Sequence, residues 1–159
     1  MIPNGIAKEK SVLFKKVIAT LIFATSSCAL AINADAADST KIINIPPTQL
    51  QWETTEEGVG FAPLQGDRFK ESYMTMVRLP AGLISPAHVK SANMYGLVVS
   101  GTITNIAVGA APATEIKLPT GSYYKIPAGL AHVSKCVSST DCVTFLYQDE
   151  KFDFLPVGQ

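Results

Sequence analysis

From residue 37 onward the chain sets short apolar runs against frequent glycine and proline. In Tyr73-Met74-Thr75-Met76-Val77-Arg78-Leu79, residues Tyr73, Thr75, Val77 and Leu79 fall on one side and the two methionines on the other. That period of two is what an extended strand imposes on its side chains. Comparable runs rich in β-branched and aromatic residues cover 97–107, 122–126 and 142–147, bounded by Gly82, Pro86, Gly101, Pro119, Gly121, Pro127 and Gly129. After Ala36 no window long enough for a helix repeats its apolar positions at the helical period. Short strands punctuated in this way predict an all-β domain, a sandwich or a barrel. Pro46-Pro47 makes 37–54 a lead-in of irregular or edge-strand chain, since proline cannot donate to a sheet ladder.

The N-terminus has a different pattern. Lys8, Lys10, Lys15 and Lys16 precede an uncharged run from Val17 to Ala34, and Ala34-Asp35-Ala36 follows as a small-residue site. A basic segment, an apolar segment and an A-x-A site predict a helical secretory signal peptide over 1–36, cleaved after Ala36, with Ala31 as the second choice. An uncleaved anchor is the competing reading of so long an uncharged run. Thr20, Thr25, Ser26, Ser27 and Asn33 dilute the run, and no basic cluster stops it. The expected location is therefore the periplasm or the exterior.

Charge sharpens this only slightly. The whole chain has 13 basic and 13 acidic side chains. Without residues 1–36, nine bases face eleven acids, a net charge of −2. A nearly neutral, slightly acidic domain offers no electrostatic footprint for nucleic acid or an anionic membrane. Removing the leader also removes Cys28 and leaves Cys136 and Cys142. An even pair in an exported chain, separated by the loop-like Val137-Ser138-Ser139-Thr140-Asp141, predicts one disulfide.

The chemistry-bearing residues sit in two stretches. Gly82, His88, Lys90, Met94 and Gly101 follow the spacing G-x5-H-x-H-x3-E-x6-G, with lysine and methionine in place of the second histidine and the glutamate. Gly121, Pro127, Gly129 and His132 follow G-x5-P-x-G-x2-H-x3-N, with Cys136 in place of the asparagine. These are the two motifs of the cupin superfamily, which the chain resembles over about 55–155. Leu79-Pro80-Ala81-Gly82, Val99-Ser100-Gly101-Thr102 and Phe152-Asp153-Phe154 make it similar to exported single-domain bacterial cupins and to the cupin part of ChrR-type anti-sigma factors. The resemblance implies a single antiparallel jelly-roll β-barrel of the RmlC-like type over 55–159, with a small-molecule pocket at the barrel mouth.

It also implies roles. His88 and His132 arrive from separate strands and would point into the pocket, where neutral imidazole suits a divalent transition metal such as Zn, Mn, Fe or Ni. Only two of four family ligands remain, and a third would have to come from Tyr95, Asn93 or water. Alternation puts Lys90 on the same side as His88, so the expected pocket set is His88, Lys90, Met94 and His132. Lys90 has two readings. Its ammonium replaces the metal's charge and holds an anionic ligand, or its stem covers apolar surface at the barrel mouth. Met74, Met76 and Met94 read as core filling rather than a copper set. Trp52 and Phe61 read as sheet packing, and Glu53, Glu56 and Glu57 as a solvated turn.

Cupins host oxygenases, isomerases, binding proteins and sensors, so the fold leaves function open. The leading expectation is an exported binder of a small, polar or anionic molecule with a degenerate metal site. A metal-dependent oxygenase or isomerase and a non-enzymatic sensory or interaction module are the alternatives. Expected partners are the small molecule and a second copy in a homodimer, with neither nucleic acid nor a membrane after cleavage.

Overall fold

The computed structural model describes residues 41–158. The leader read at 1–36 and its cleavage site lie outside the described residues. Among the described residues eleven strands form in chain order: β1 (Glu53–Thr54), β2 (Gly60–Gln65), β3 (Tyr73–Leu79), β4 (His88–Val89), β5 (Met94–Ser100), β6 (Thr102–Ala107), β7 (Leu118–Pro119), β8 (Tyr123–Ile126), β9 (His132–Cys136), β10 (Cys142–Gln148) and β11 (Leu155–Pro156). Two 3-10 turns, Pro47–Gln49 and Pro112–Thr114, are the helical elements among the described residues. Among the described residues no helix is long and apolar enough to cross a membrane.

Pairing is antiparallel throughout. One sheet runs β1-β2-β3-β10-β5-β8 and the other β11-β4-β9-β6-β7. The expected barrel is thereby corrected to two sheets that do not close on one another, the open form of a jelly roll. At the end of the lead-in read at 37–54, β1 pairs with β2 through Glu53 opposite Phe61.

Alternation decides which faces turn inward. On β3, Tyr73, Thr75 and Val77 are buried while Met74 and Met76 are half-exposed. On β10, Cys142, Thr144, Leu146 and Gln148 are buried. Phe61, Tyr73, Val77, Met94, Ile126 and Leu146 form one apolar cluster, and Val98, Ile103, Cys136 and Cys142 a second. Burial of such side chains contributes roughly 1.5–3 kcal/mol each for a large aliphatic or aromatic group.

The run expected over 97–107 is two strands. Gly101 divides it at φ +79°, and a Cβ there would press on Cys142. Glycine alone takes this left-handed turn without strain.

Cys136 ends β9 and Cys142 begins β10, and a disulfide joins them with Cα atoms 5.7 Å apart. Both are buried, so the bond closes the six-residue separation from inside the second cluster. Reduction is expected to raise the intact mass by two hydrogens and lower stability by about 2 kcal/mol, the entropy of so short a loop. Mass spectrometry and urea unfolding with and without reductant check both values. Two alkylatable thiols in the untreated protein would contradict the bridge.

Candidate functional site

Between the sheets lies a cavity of about 650 Å³. Most of its wall is apolar, including Phe61, Val77, Leu79, Ile103 and Leu146. The chain from His88 to Met94 crosses from the smaller sheet to the larger one. This crossing brings His88, Lys90 and Met94 to the wall of the same cavity.

The crossing is fastened on both sides. The Lys90 carbonyl accepts from the Gly129 amide at 2.8 Å. Asn93 donates its amide N–H and its side-chain Nδ2 to the two Asp149 oxygens at 2.9 and 2.8 Å, and its Oδ1 accepts from Ala128 at 3.1 Å.

His132 opposes His88 across β4 and β9. The two rings have centroids 4.2 Å apart, and both residues are buried. Each Nδ1 lies beside a carbonyl two residues earlier, Pro86 O at 2.9 Å for His88 and Leu130 O at 3.0 Å for His132. A carbonyl can only accept, so Nδ1 carries the proton and Nε2 of each neutral ring keeps its lone pair. Nε2 of His132 is buried without a hydrogen-bond partner. Burial is the main cause that pushes His88 down to about 4, with the charges of His132 and Lys90 adding to it. His132 is lowered for the same first reason, with Lys90 again contributing.

Lys90 is 5% exposed. Its ammonium donates to the Asp153 backbone carbonyl and sits 3.8 Å from the centre of the Phe152 ring and 5.3 Å from that of Phe154. Among the described residues no side-chain carboxylate pairs with Nζ at salt-bridge distance. Instead the Asp153 carboxylate accepts from the Ser91 amide, at 3.2 and 3.0 Å. Burial in this setting lowers Lys90 to about 8, against the opposing pull of Asp153.

The strap Phe152-Asp153-Phe154 is the part of the site that sequence reasoning did not assign. Phe154 stacks on His88 at 4.2 Å with planes 16° apart, and Phe152 meets Phe61 edge-on at 5.6 Å. The strap is held by β11, where Leu155 and Pro156 pair with Val89 and His88. Deeper in, the Tyr73 hydroxyl donates to Gln148 Oε1 at 3.2 Å.

Several sequence expectations take other places. Asn93 is committed to Asp149 and Ala128, and Tyr95 stacks with Tyr147 at 5.9 Å, so neither is the third partner of the histidines. Met94 is buried in the first cluster while Met74 and Met76 occupy the opposite face of β3, so the methionines do not gather. Trp52 carries the Arg78 guanidinium 4.6 Å over its ring, away from the cavity wall. Glu53 pairs with Arg68 at 3.0 Å.

The unpartnered Nε2 suits a Lewis acid, yet no group of three or more His, Cys, Asp and Glu gathers among the described residues. Two imidazoles beside an ammonium do not fit a first-row divalent ion by themselves, because that ion takes at least three protein donors and is repelled by the nearby cation. The cavity wall itself supplies one buried cation, the His88 imidazole and a largely apolar surface, while His132 lies behind His88 and is not among the lining residues.

Comparison with known proteins agrees with this architecture. An RmlC-like cupin from Shewanella frigidimarina superimposes with a TM-score of 0.53 at 15% identity, over 68% of this chain and 92% of that one. The polyketide cyclase RemF from Streptomyces resistomycificus gives 0.58 at 15%, over 75% and 87%. The Rhodobacter sphaeroides complex of SigE with the anti-sigma ChrR gives 0.51 at 19%, over 65% and 51%. Identities this low speak for the fold alone. No curated protein matches the chain in sequence. The model of the family described as Domain of unknown function (DUF4437) matches residues 35–157. The chain belongs to that family, and its fold is that of the RmlC-like cupins.

Proposed function

We propose that this cupin binds a small organic molecule with an apolar body and an anionic oxygen, seated in the cavity between the sheets with the oxygen on Lys90. One observation carries the reading: a buried ammonium, without a carboxylate partner among the described residues, stands in the wall of a cavity of about 650 Å³ whose remaining lining is largely apolar. That volume matches a drug-sized ligand. A cation kept out of water is costly unless something neutralises it, and the Asp153 carbonyl supplies only part of that compensation. An anionic oxygen would add the rest through a charge-assisted hydrogen bond. The Nε2 of His88, on the cavity wall, accepts but does not donate in this tautomer and favours a ligand that also carries a hydroxyl proton.

Calorimetry with benzoate and hexanoate, each beside its alcohol, tests this. Lys90→Met is expected to weaken both acids by at least about tenfold, the lower bound for a hydrogen bond to a charged group. The alcohols should bind parent and variant alike. Methionine keeps the bulk and the ring contacts, so stability should change by less than about 1 kcal/mol. Equal affinity of the acids for both proteins would remove Lys90 from the site.

Export belongs to the same proposal and rests on the leader read at 1–36. N-terminal sequencing of the purified protein should begin at Ala37. A soluble cytoplasmic protein that retains 1–36 would sink it.

A further inference from the structure

We infer that the ligand's apolar body is an aromatic ring bearing a hydroxyl group as well as the carboxylate, and that Phe154 of the C-terminal strap selects it. This inference rests on the reading above, that an anionic oxygen sits on Lys90.

The strap already presents such chemistry to the polar end of the cavity. It sets a carbonyl oxygen on the Lys90 ammonium and, on the next residue, a flat ring parallel to His88. The end of the cavity nearest Lys90 is thus built to hold an oxygen acceptor adjoining a ring. The rings of Phe61, Tyr73, Tyr124, Phe152 and Phe154 share the wall with aliphatic side chains such as Val77, Leu79 and Leu146. Ring faces are electron-rich and ring edges electron-poor, so a flat aromatic guest gains stacked and edge-to-face contacts that an aliphatic ring of equal area does not.

The hydroxyl follows from the tautomers. With both Nδ1 protons given to backbone carbonyls, the rings keep only Nε2 lone pairs, and His88 is the one of the two that stands on the cavity wall. A guest that donates to His88 Nε2 gains a hydrogen bond there. A carboxylate alone cannot do so, whereas an adjacent hydroxyl can.

Phe154 is 38% exposed. It reaches the site from a segment held by two paired residues of β11 and by the Val157 amide on Ala87. A change of its side chain therefore leaves the two clusters of the interior untouched, which makes it a usable probe of selectivity.

Three probes decide the matter: salicylate, its saturated analogue 2-hydroxycyclohexanecarboxylate, and benzoate. Their affinities are to be measured by calorimetry on the full mature chain. Salicylate is expected to bind about three- to tenfold more tightly than the saturated acid, the range a ring pair contributes beyond its area. It should exceed benzoate by at least about fivefold, the usual worth of one satisfied polar group. Phe154→Leu should bring the ratio of salicylate to saturated acid below about two while leaving the preference of benzoate over benzyl alcohol as in the parent. Phe152→Leu, which keeps the strap's pairing, is the companion variant and should lower the ratio less. Equal binding of salicylate and the saturated acid by the parent, or a ratio unmoved by Phe154→Leu, would overturn the ring inference while the Lys90 reading stands. No binding of any of the three acids would overturn both.

Discussion

Gly96→Val should lower the stability of the protein by about 4 kcal/mol, and Gly96→Ala by about 2–3 kcal/mol. Gly96 lies in the middle of β5, with Tyr124 of β8 opposite on one side and Leu146 of β10 on the other. The Tyr124 ring covers it so closely that a Cβ on Gly96 would overlap the ring's Cζ, Cε1 and Oη atoms. Tyr124 cannot simply swing away. It packs against both apolar clusters, lines the cavity, and its hydroxyl lies 3.4 Å from Thr144 Oγ1. Burial also raises the phenol's pKa, as expected for a group without water to accept its charge. The cause is therefore the ring and not the backbone, whose φ at Gly96 is not left-handed. A double-mutant cycle separates the two. In a Tyr124→Ala background, Gly96→Ala should cost less than about 1 kcal/mol, close to its helix- and strand-neutral effect on chain entropy. An undiminished cost in that background, measured by urea unfolding, would place the obstacle elsewhere. Gly82→Ala serves as the control, since its Cβ would meet nothing within 4 Å and only the φ of +74° is strained.

The strand over 73–79 was legible because its alternation has a single solution: three of its four alternate residues are fully buried and the methionines are not. The 97–107 run was legible as strand but not as two strands, because composition does not say which glycine takes a positive φ. Gly101 does, and β5 and β6 then belong to different sheets. Barrel closure was not legible at all. It depends on pairing between end strands, and β4, β7 and β11 have two residues each, too short to carry a periodic signal. The neighbourhood of His88, Lys90, Met94 and His132 could be drawn from motif spacing, since spacing fixes which residues open β4, β5 and β9. What Lys90 touches could not. Its partners Phe152, Asp153 and Phe154 lie some sixty residues later, in a strap whose two-residue pairing has no pattern of its own. The dismissal of Asn93 and Tyr95 follows from the same geometry. Once β5 starts at Met94, alternation turns Tyr95 away from the cavity, and Asn93 is needed to hold the crossing.

Acid should destabilise the protein between pH 6.5 and about 4 more steeply than its exposed carboxylates explain. His88 and His132 titrate near 6.5 when unfolded. In the folded chain burial lowers both, His88 to about 4, and their mutual proximity and the Lys90 charge reinforce the direction at His88. The opposing groups are the Pro86 and Leu130 carbonyls and the Asp153 charge, and they do not reverse it. Below 6.5 the unfolded state then binds more protons than the folded one, so stability rises with pH through this window and falls as pH drops. Above 6.5 the contribution is complete, and below about 4 His88 adds no further loss. For His88 alone the difference amounts to about 3 kcal/mol, at 1.36 kcal/mol for each tenfold change in proton affinity. Lys90 acts in the same sense at the other end. Its folded value of about 8 lies below its unfolded 10.5, so stability should rise again as pH passes 8. These are the only two histidines in the chain, which makes proton NMR of the imidazole Cε1 signals a direct reading. In protein dialysed against EDTA, the His88 signal should shift with a midpoint near 4 and the His132 signal with one below 6.5, and urea unfolding should show the slope between pH 6.5 and 4. Midpoints near 6.5 for both rings would mean that they meet water freely, and the buried pair beside Lys90 would have to be redrawn.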